Sequence, residues 1–264
     1  MKLRLFSRAK PVIGMIHVGA LPGTPGARLP LAKIVANAVR EAKIYRDAGL
    51  DGVAVENMHD VPYLKGAVGP EIVAGMTVVA QAVNAEFRGV TGIQILAAAN
   101  REALAVALAA GLDWVRVEGF AFAHVADEGL VDSCAGELLR YRKLIGAERI
   151  EVWADIKKKH AAHAITSDVS LGETAAAAEF MRADALIVTG TATGKPPARS
   201  DVVEAKANSK LPVLIGSGVD AKNVGQFWEA ADGFIVGSNF KAGGRWDGAV
   251  EAGKVRAFMK AARK

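Results

Sequence analysis

The run Ala185-Leu186-Ile187-Val188-Thr189-Gly190 sends four consecutive aliphatic side chains into a polar, glycine-containing exit. The same pattern returns at residues 212–218 (PVLIGSG) and 233–239 (GFIVGSN). A short strand that is apolar on both faces fits a parallel sheet covered on both sides, and a glycine at its end marks a sharp turn. Toward the N-terminus, comparable runs rich in Val and Ile occupy 12–18, 51–57, 90–96, 114–119 and 151–157, which brings the strands to eight. Helical spacing fills the intervals, as in Leu31, Ile34, Val35, Ala38 and Tyr45, or Ile72, Val73, Met76, Val79 and Val83. Ser170 with Glu173 predicts a capping box, Gly49 and Gly111 predict helix stops, and Asp220 and Asp247 predict caps for the last two helices, the final one beginning near Asp247.

Eight βα units predict an α/β protein, a single (β/α)8 TIM barrel, with residues 1–264 as one domain and 1–10 as a short lead-in. An open doubly wound sheet is disfavoured, because no G-x-G-x-x-G follows the first strand and no linker separates two halves. The chain has 264 residues, 51% hydrophobic and 23% charged, enough to bury a large core. Its net charge of +5 is spread along the sequence, and the densest basic run, Lys157 to Lys159, lacks interleaved aromatics. Nucleic acid is therefore not an expected partner. One cysteine, Cys134, rules out a disulfide framework or a multi-cysteine zinc site and predicts a reducing, cytoplasmic home. The basic N-terminal segment is followed by His17, Gly19, Pro22 and Gly23, which break a secretory pattern, and no apolar run has membrane-spanning length. A homo-oligomer is expected from base rates alone.

In such a barrel, polar residues at strand C-terminal ends carry the functional question. The last three strands leave through Thr189, Gly190 and Gly194, through Gly216, Ser217 and Gly218, and through Gly237 and Ser238. Converging backbone N–H groups unobstructed by Cβ atoms suit a phosphate, and Lys241 can add positive charge to the same cup. Tight βα turns would use the same glycines without any ligand. The other strand ends offer His17, Glu56 with Asn57, Gln94, Arg116 with Glu118, and Asp155 with Lys157. Alternation puts Arg116 with Glu118 on one face and Asp155 with Lys157 on one face, Lys159 continuing that parity if the strand runs on. A buried ion-pair layer is the structural alternative to a catalytic cluster. A carboxylate beside a lysine can exchange protons, or the lysine can form a Schiff base with a carbonyl, and the residues do not choose between these. His160 is the better site candidate of the pair His160 and His163. No cofactor is predicted, and a divalent metal on His17, Glu56 and Asp155 has no ligand-pair spacing to support it.

Several motifs together carry a resemblance: Met15-Ile16-His17-Val18-Gly19-Ala20-Leu21-Pro22-Gly23, Glu56-Asn57 with Pro62-Tyr63, Asp155 followed by Lys159-His160, and Asp232-Gly233 leading to Phe240-Lys241. On these residues the chain resembles the BtpA/SgcQ family over almost its whole length. The resemblance implies a phosphate-binding TIM barrel, with one bacterial branch encoded beside sugar-phosphate genes and a cyanobacterial branch linked to photosystem I assembly. Carried over by motif, it implies His17, Asn57, Glu118 and Asp155 at the mouth, and Thr189, Gly190, Thr193, Gly194, Gly218 and Asn223 in the ligand cup.

The leading expectation is an enzyme acting on a sugar phosphate or nucleotide-like phosphate by lyase, isomerase or glycosyl-bond chemistry. Asp155 or Glu118 would be the base and Lys159 or His17 its partner. The alternative is a non-catalytic assembly or stability factor that touches membranes peripherally. Its basic surface would be the last helix, with Lys254, Arg256, Lys260, Arg263 and Lys264.

Overall fold

A computed structural model describes residues 2–190 and 194–263. Eight parallel strands close a barrel: β1 (Val12–His17), β2 (Gly52–Glu56), β3 (Val90–Gln94), β4 (Trp114–Val117), β7 (Glu151–Ile156), β9 (Ala185–Val188), β10 (Val213–Ile215) and β11 (Gly233–Val236). Each of these lies inside one of the eight aliphatic runs. The barrel is sealed where β1 pairs with both β2 and β11. Helices α1 (Leu31–Asp47), α2 (Pro70–Phe87), α3 (Asn100–Ala110), α4 (Ala135–Leu144), α5 (Leu171–Phe180), α6 (Arg199–Asn208), α7 (Val224–Phe227) and α8 (Ala252–Ala262) alternate with the strands.

Each helix buries its apolar stripe on the outside of the barrel. In α1 the buried positions are Ile34, Ala38, Ala42 and Tyr45, and in α2 they include Ile72, Met76, Val79 and Val83. The capping box at Ser170 and Glu173 is formed in both directions, and Gly49 and Gly111 take the left-handed conformation after α1 and α3. The last two helix starts differ from expectation. Asp220 Oδ1 accepts from the backbone N–H groups of Lys222 and Asn223 and so shapes the turn, while Asn223 occupies the cap of α7. Asp247 is held by Arg245, and α8 begins five residues later at Ala252.

The N-terminal end of the barrel is closed by an aromatic plug. Trp114 and Trp153 stack at 3.9 Å between ring centroids, with Phe6 and Leu3 of the lead-in segment against them. Leu3 and Phe6 of the lead-in thus belong to the core's lower layer. Gly92 makes room for the stack. The C-terminal end stays open because the polar strand ends cannot be stacked shut in the same way.

One small sheet was not foreseen. The hairpin β5 (His124–Ala126) and β6 (Gly129–Val131) pairs through β5 with β8 (Ala161–Ala162), tying the segment after β4 to the segment after β7. Among the described residues, no helix is long and apolar enough to cross a membrane.

A Cβ on residue 92 would lie 2.1 Å from the Trp114 ring. Gly92→Ala should therefore destabilise the protein by about 3 kcal/mol, at the upper end of overpacking costs, as read from urea unfolding. A loss below about 0.5 kcal/mol would show that the plug is not tightly packed.

Candidate active site

The strand C-terminal ends surround a cavity of about 390 Å³, within the range of small-molecule sites. Its floor carries a buried ion pair. Arg116 on β4 grips Asp155 on β7 with two nitrogens, Nε to Oδ2 at 3.0 Å and Nη2 to Oδ1 at 3.0 Å. The missing side chain at Gly216 leaves room for the guanidinium, since a Cβ there would sit 3.3 Å from Nη2. Burial pushes the Asp155 carboxyl up and Arg116 pulls against it. Asp155 is thereby committed to Arg116, which makes it a poor base.

Glu118 is similarly occupied. Its Oε1 accepts from Lys158 Nζ at 2.9 Å and its Oε2 from the backbone N–H of Ala98 at 3.0 Å, so it fixes the segments after β3 and β7. Glu56, at the end of β2, is the carboxylate in a different situation. It lines the cavity, is buried, and burial raises its pKa against the pull of Arg116 and Lys159. Its Oε2 lies 3.8 Å from His17 Nε2. The His17 Nδ1 faces the Trp246 carbonyl at 2.7 Å, and a carbonyl can only accept, so Nδ1 carries the proton and Nε2 presents a lone pair toward Glu56. Burial, followed by the Lys241 charge, lowers the His17 pKa to about 3.

The lysine run departs from the expected parity. β7 ends at Ile156, and Lys157 takes a left-handed φ of 42°, so alternation stops there. Lys157 turns away to donate to the Thr166 carbonyl, while Lys158 and Lys159 both line the cavity. The Lys159 backbone N–H donates to Thr189 Oγ1 at 2.9 Å, which anchors it to the end of β9. Burial and then Arg116 lower the Lys159 pKa, and Glu56 and Asp155 oppose them. His160, also at a positive φ, lines the rim.

Among the ligand-cup residues, Gly194, Gly216, Ser217, Gly218, Gly237 and Ser238 line the cavity. Gly190 and Gly218 have a further duty: a Cβ on either would strike the Lys195–Pro196 backbone at 2.1 and 2.0 Å. Thr189 acts by holding Lys159. Thr193 lies outside the described residues.

Three expected site residues have their polar groups engaged within the fold. Asn57 is buried between the backbone N–H of Leu96 and Asp60, accepting from the first at 2.7 Å and donating to the second at 2.9 Å. Asn223 is used within its own turn, donating to the Gly218 carbonyl and accepting from the Asp220 N–H. Lys241 is buried with its amine against Glu41 of α1 at 3.3 Å, outside the cavity, so it cannot join a phosphate cup by direct contact. Sequence reasoning missed Asp60, whose Oδ1 accepts from the Leu21 N–H at 2.8 Å and so pins the A-L-P-G segment to the segment after β2. It also missed Met58, Tyr63, Trp246, Asp127 and Glu128 as lining residues. A lone tryptophan in the glycine-rich stretch after β11 was the one readable signal among these. Among the described residues, no three His, Cys, Asp or Glu side chains converge on a metal-holding arrangement.

A closed eight-stranded barrel with its charged cavity at the strand C-termini places the chain among TIM barrels. The BtpA family profile matches residues 8–264, and the chain belongs to that family. An uncharacterised mitochondrial protein of Caenorhabditis elegans is 51% identical over 263 residues, 97% of this chain and 95% of that one. The photosystem I biogenesis protein BtpA of Synechocystis sp. is 34% identical over 257 residues, 97% of this chain and 89% of that one. Among solved structures, thiamine phosphate pyrophosphorylase from Pyrococcus furiosus is similar with a TM-score of 0.58 at 14% identity, covering 96% of this chain and 95% of that one. This last likeness is one of fold.

The neutral state of His17 has a consequence for acid stability. Unfolded, the ring ionises near 6.5, and folded at about 3. Between those values the unfolded chain binds the extra proton, so stability is full above about pH 6.5 and declines as pH falls toward 3. His17→Gln should remove about one proton's worth of slope, ~1.4 kcal/mol per pH unit, from urea-unfolding stability between pH 6 and 4. An unchanged slope would mean that His17 takes up its proton in the folded state.

Proposed function

We propose that this protein is an enzyme that binds a phosphorylated small molecule at the open end of its barrel and moves a proton within it. The observation that supports this most is the convergence of Glu56, His17 and Lys159 on one cavity whose rim includes Ser217, Gly218, Ser238 and Asn239. Among the described residues, the backbone N–H groups of those four rim positions have no hydrogen-bond acceptor. Such groups at the ends of the seventh and eighth barrel strands suit a phosphate. The small side chains let it approach closely.

In this reading Glu56 exchanges the proton. Its raised pKa keeps it near the range where a carboxyl both gives and takes a proton. Lys159 supplies an amine above the Arg116–Asp155 floor, and its lowered pKa favours the deprotonated, nucleophilic form. His17, fixed by the Trp246 carbonyl, offers Nε2 as a neutral acceptor on the side of Glu56. These roles fit lyase, isomerase or glycosyl-bond chemistry on a sugar phosphate or nucleotide-like substrate.

A second reading draws on the Synechocystis relative named for photosystem I biogenesis: a non-catalytic factor that touches membranes peripherally. Its basic helix is partly spent within the fold, since Lys254 donates to the Lys241 carbonyl and pairs with Glu251, and Arg263 donates to the Gly49 carbonyl. Lys264 lies outside the described residues.

A thermal-shift panel of sugar phosphates, nucleotides and inorganic phosphate tests the choice. One phosphorylated compound should raise Tm selectively, because ligand bound only by the folded state stabilises it. Ser217→Asp should abolish that shift with little change in the unliganded Tm, by setting a carboxylate in the rim. Glu56→Gln should keep the shift and lose turnover of the compound found. No shift from any of them would transfer weight to the non-catalytic reading.

A further inference from the structure

The two ends of the cavity have unlike chemistry, and a phosphate answers to one of them. Across the barrel from β10, a wall is built by Leu96 and Ala97 after β3 and by Met58, Val61 and Tyr63 after the neighbouring β2, with Trp246 of the segment after β11 completing this part of the lining. Its shape is fixed from behind. Tyr63 donates its hydroxyl to the Met58 carbonyl at 2.8 Å, and Trp246 packs on the His59 ring at 4.8 Å between centroids. The segments after β2 and β3 are also joined by backbone hydrogen bonds, Gly66 N–H to the Ala97 carbonyl and Ala97 N–H to the Leu64 carbonyl. An apolar, partly aromatic wall of this kind suits a flat ring.

Two observations define what the ring must carry. Asp127 and Glu128, at the turn of the β5–β6 hairpin, line this same cavity, and the Glu128 charge acts on the Tyr63 phenol. The lysine beside them, Lys158, is already paired with Glu118. A second anionic group at this end would meet two carboxylates, whereas N–H groups would find acceptors. Independently, Gln94 lines the cavity at 3% exposure, and its Oε1 meets no donor among the described residues. An amide can turn either its oxygen or its NH2 toward a ligand, so Gln94 can read an N–H or a ring acceptor.

We propose that the ligand is a phosphate monoester whose far end is an uncharged, flat ring bearing N–H groups, the chemistry of a nucleoside monophosphate, and that this site rejects sugar bisphosphates. The proposal rests on the reading above that the Ser217–Gly218 and Ser238–Asn239 rim takes the phosphate. With that end engaged, the ring lies along Tyr63 and Leu96 and the sugar sits over Glu56 and Lys159.

Isothermal titration of the full chain with adenosine and uridine 5′-monophosphate, ribose 5-phosphate and fructose 1,6-bisphosphate tests it. The tighter of the two nucleotides should bind at least about tenfold more tightly than ribose 5-phosphate, roughly the discrimination expected from filling an apolar pocket, and the bisphosphate should bind weakest. The double variant Asp127→Asn/Glu128→Gln, on an exposed hairpin turn, should narrow the gap between nucleotide and bisphosphate at least about fivefold and change ribose 5-phosphate affinity less than twofold. Ribose 5-phosphate binding as tightly as the nucleotides, or the bisphosphate binding best, would overturn the inference and leave the phosphate rim standing. Binding by none of the four would overturn both.

Discussion

The two-pronged pair between Arg116 and Asp155 is the constraint around which the open end of the barrel is arranged. Two charges with side chains 7% and 1% exposed stand where a TIM barrel ordinarily packs another layer of aliphatics. Taking them out of water costs several kcal/mol per ion, and a well-packed apolar pair of similar volume would serve stability as well or better. Their neighbours accommodate them at every turn. Gly216 leaves space for the guanidinium, Glu56 and Glu118 add negative potential around it, and Lys159 is held above it by Thr189. The pair sets the electrostatics of the floor: Arg116 lowers and Asp155 raises the proton affinity of both Glu56 and Lys159.

The two ends of the barrel are opposites built from the same repeat. Below, the Trp114–Trp153 stack and the lead-in residues Leu3 and Phe6 fill the interior completely enough that Gly92 must lack a side chain. Above, Asp60 performs the corresponding organising task with hydrogen bonds. It joins the Leu21 N–H to Asn57, and Asn57 passes the connection on to Leu96, so the segments after the first three strands are tied together. The small β5–β6–β8 sheet does the same for the segments after β4 and β7. A cavity with its walls tied in this way presents its polar groups in fixed positions, which is what differential binding of a transition state needs.

How much of this was legible in the sequence follows from what each feature depends on. The eight strands were readable because both their faces are buried, so each announces itself as an aliphatic run that needs no knowledge of its partners. The hairpin at His124–Val131 was not, because its strands are three residues long and one face stays exposed at Val125 and Leu130. Its third strand comes from residues 161–162, too distant for local periodicity to register. At the site, Glu56 and His17 were identified by their place at strand ends, and Lys159 by its spacing from Asp155 and by the family motif. Asn57 and Lys241 stood near strand ends and Asn223 came from the resemblance, yet all three spend their polar atoms inside the fold, a distinction made by side-chain direction and not by residue type. The parity argument for the lysine run failed at Lys157, where a left-handed backbone ended the alternation and brought Lys158 into the cavity.

In the proposed function the glycine-rich rim and the charged floor form one ligand site. A crystal structure of the protein grown with ribose 5-phosphate tests it most directly. The phosphate is expected within hydrogen-bond distance of the backbone N–H groups of Ser217, Gly218, Ser238 or Asn239, with the sugar toward Glu56 and Lys159. A phosphate seated elsewhere on the molecule, with this cavity holding water alone, would contradict it.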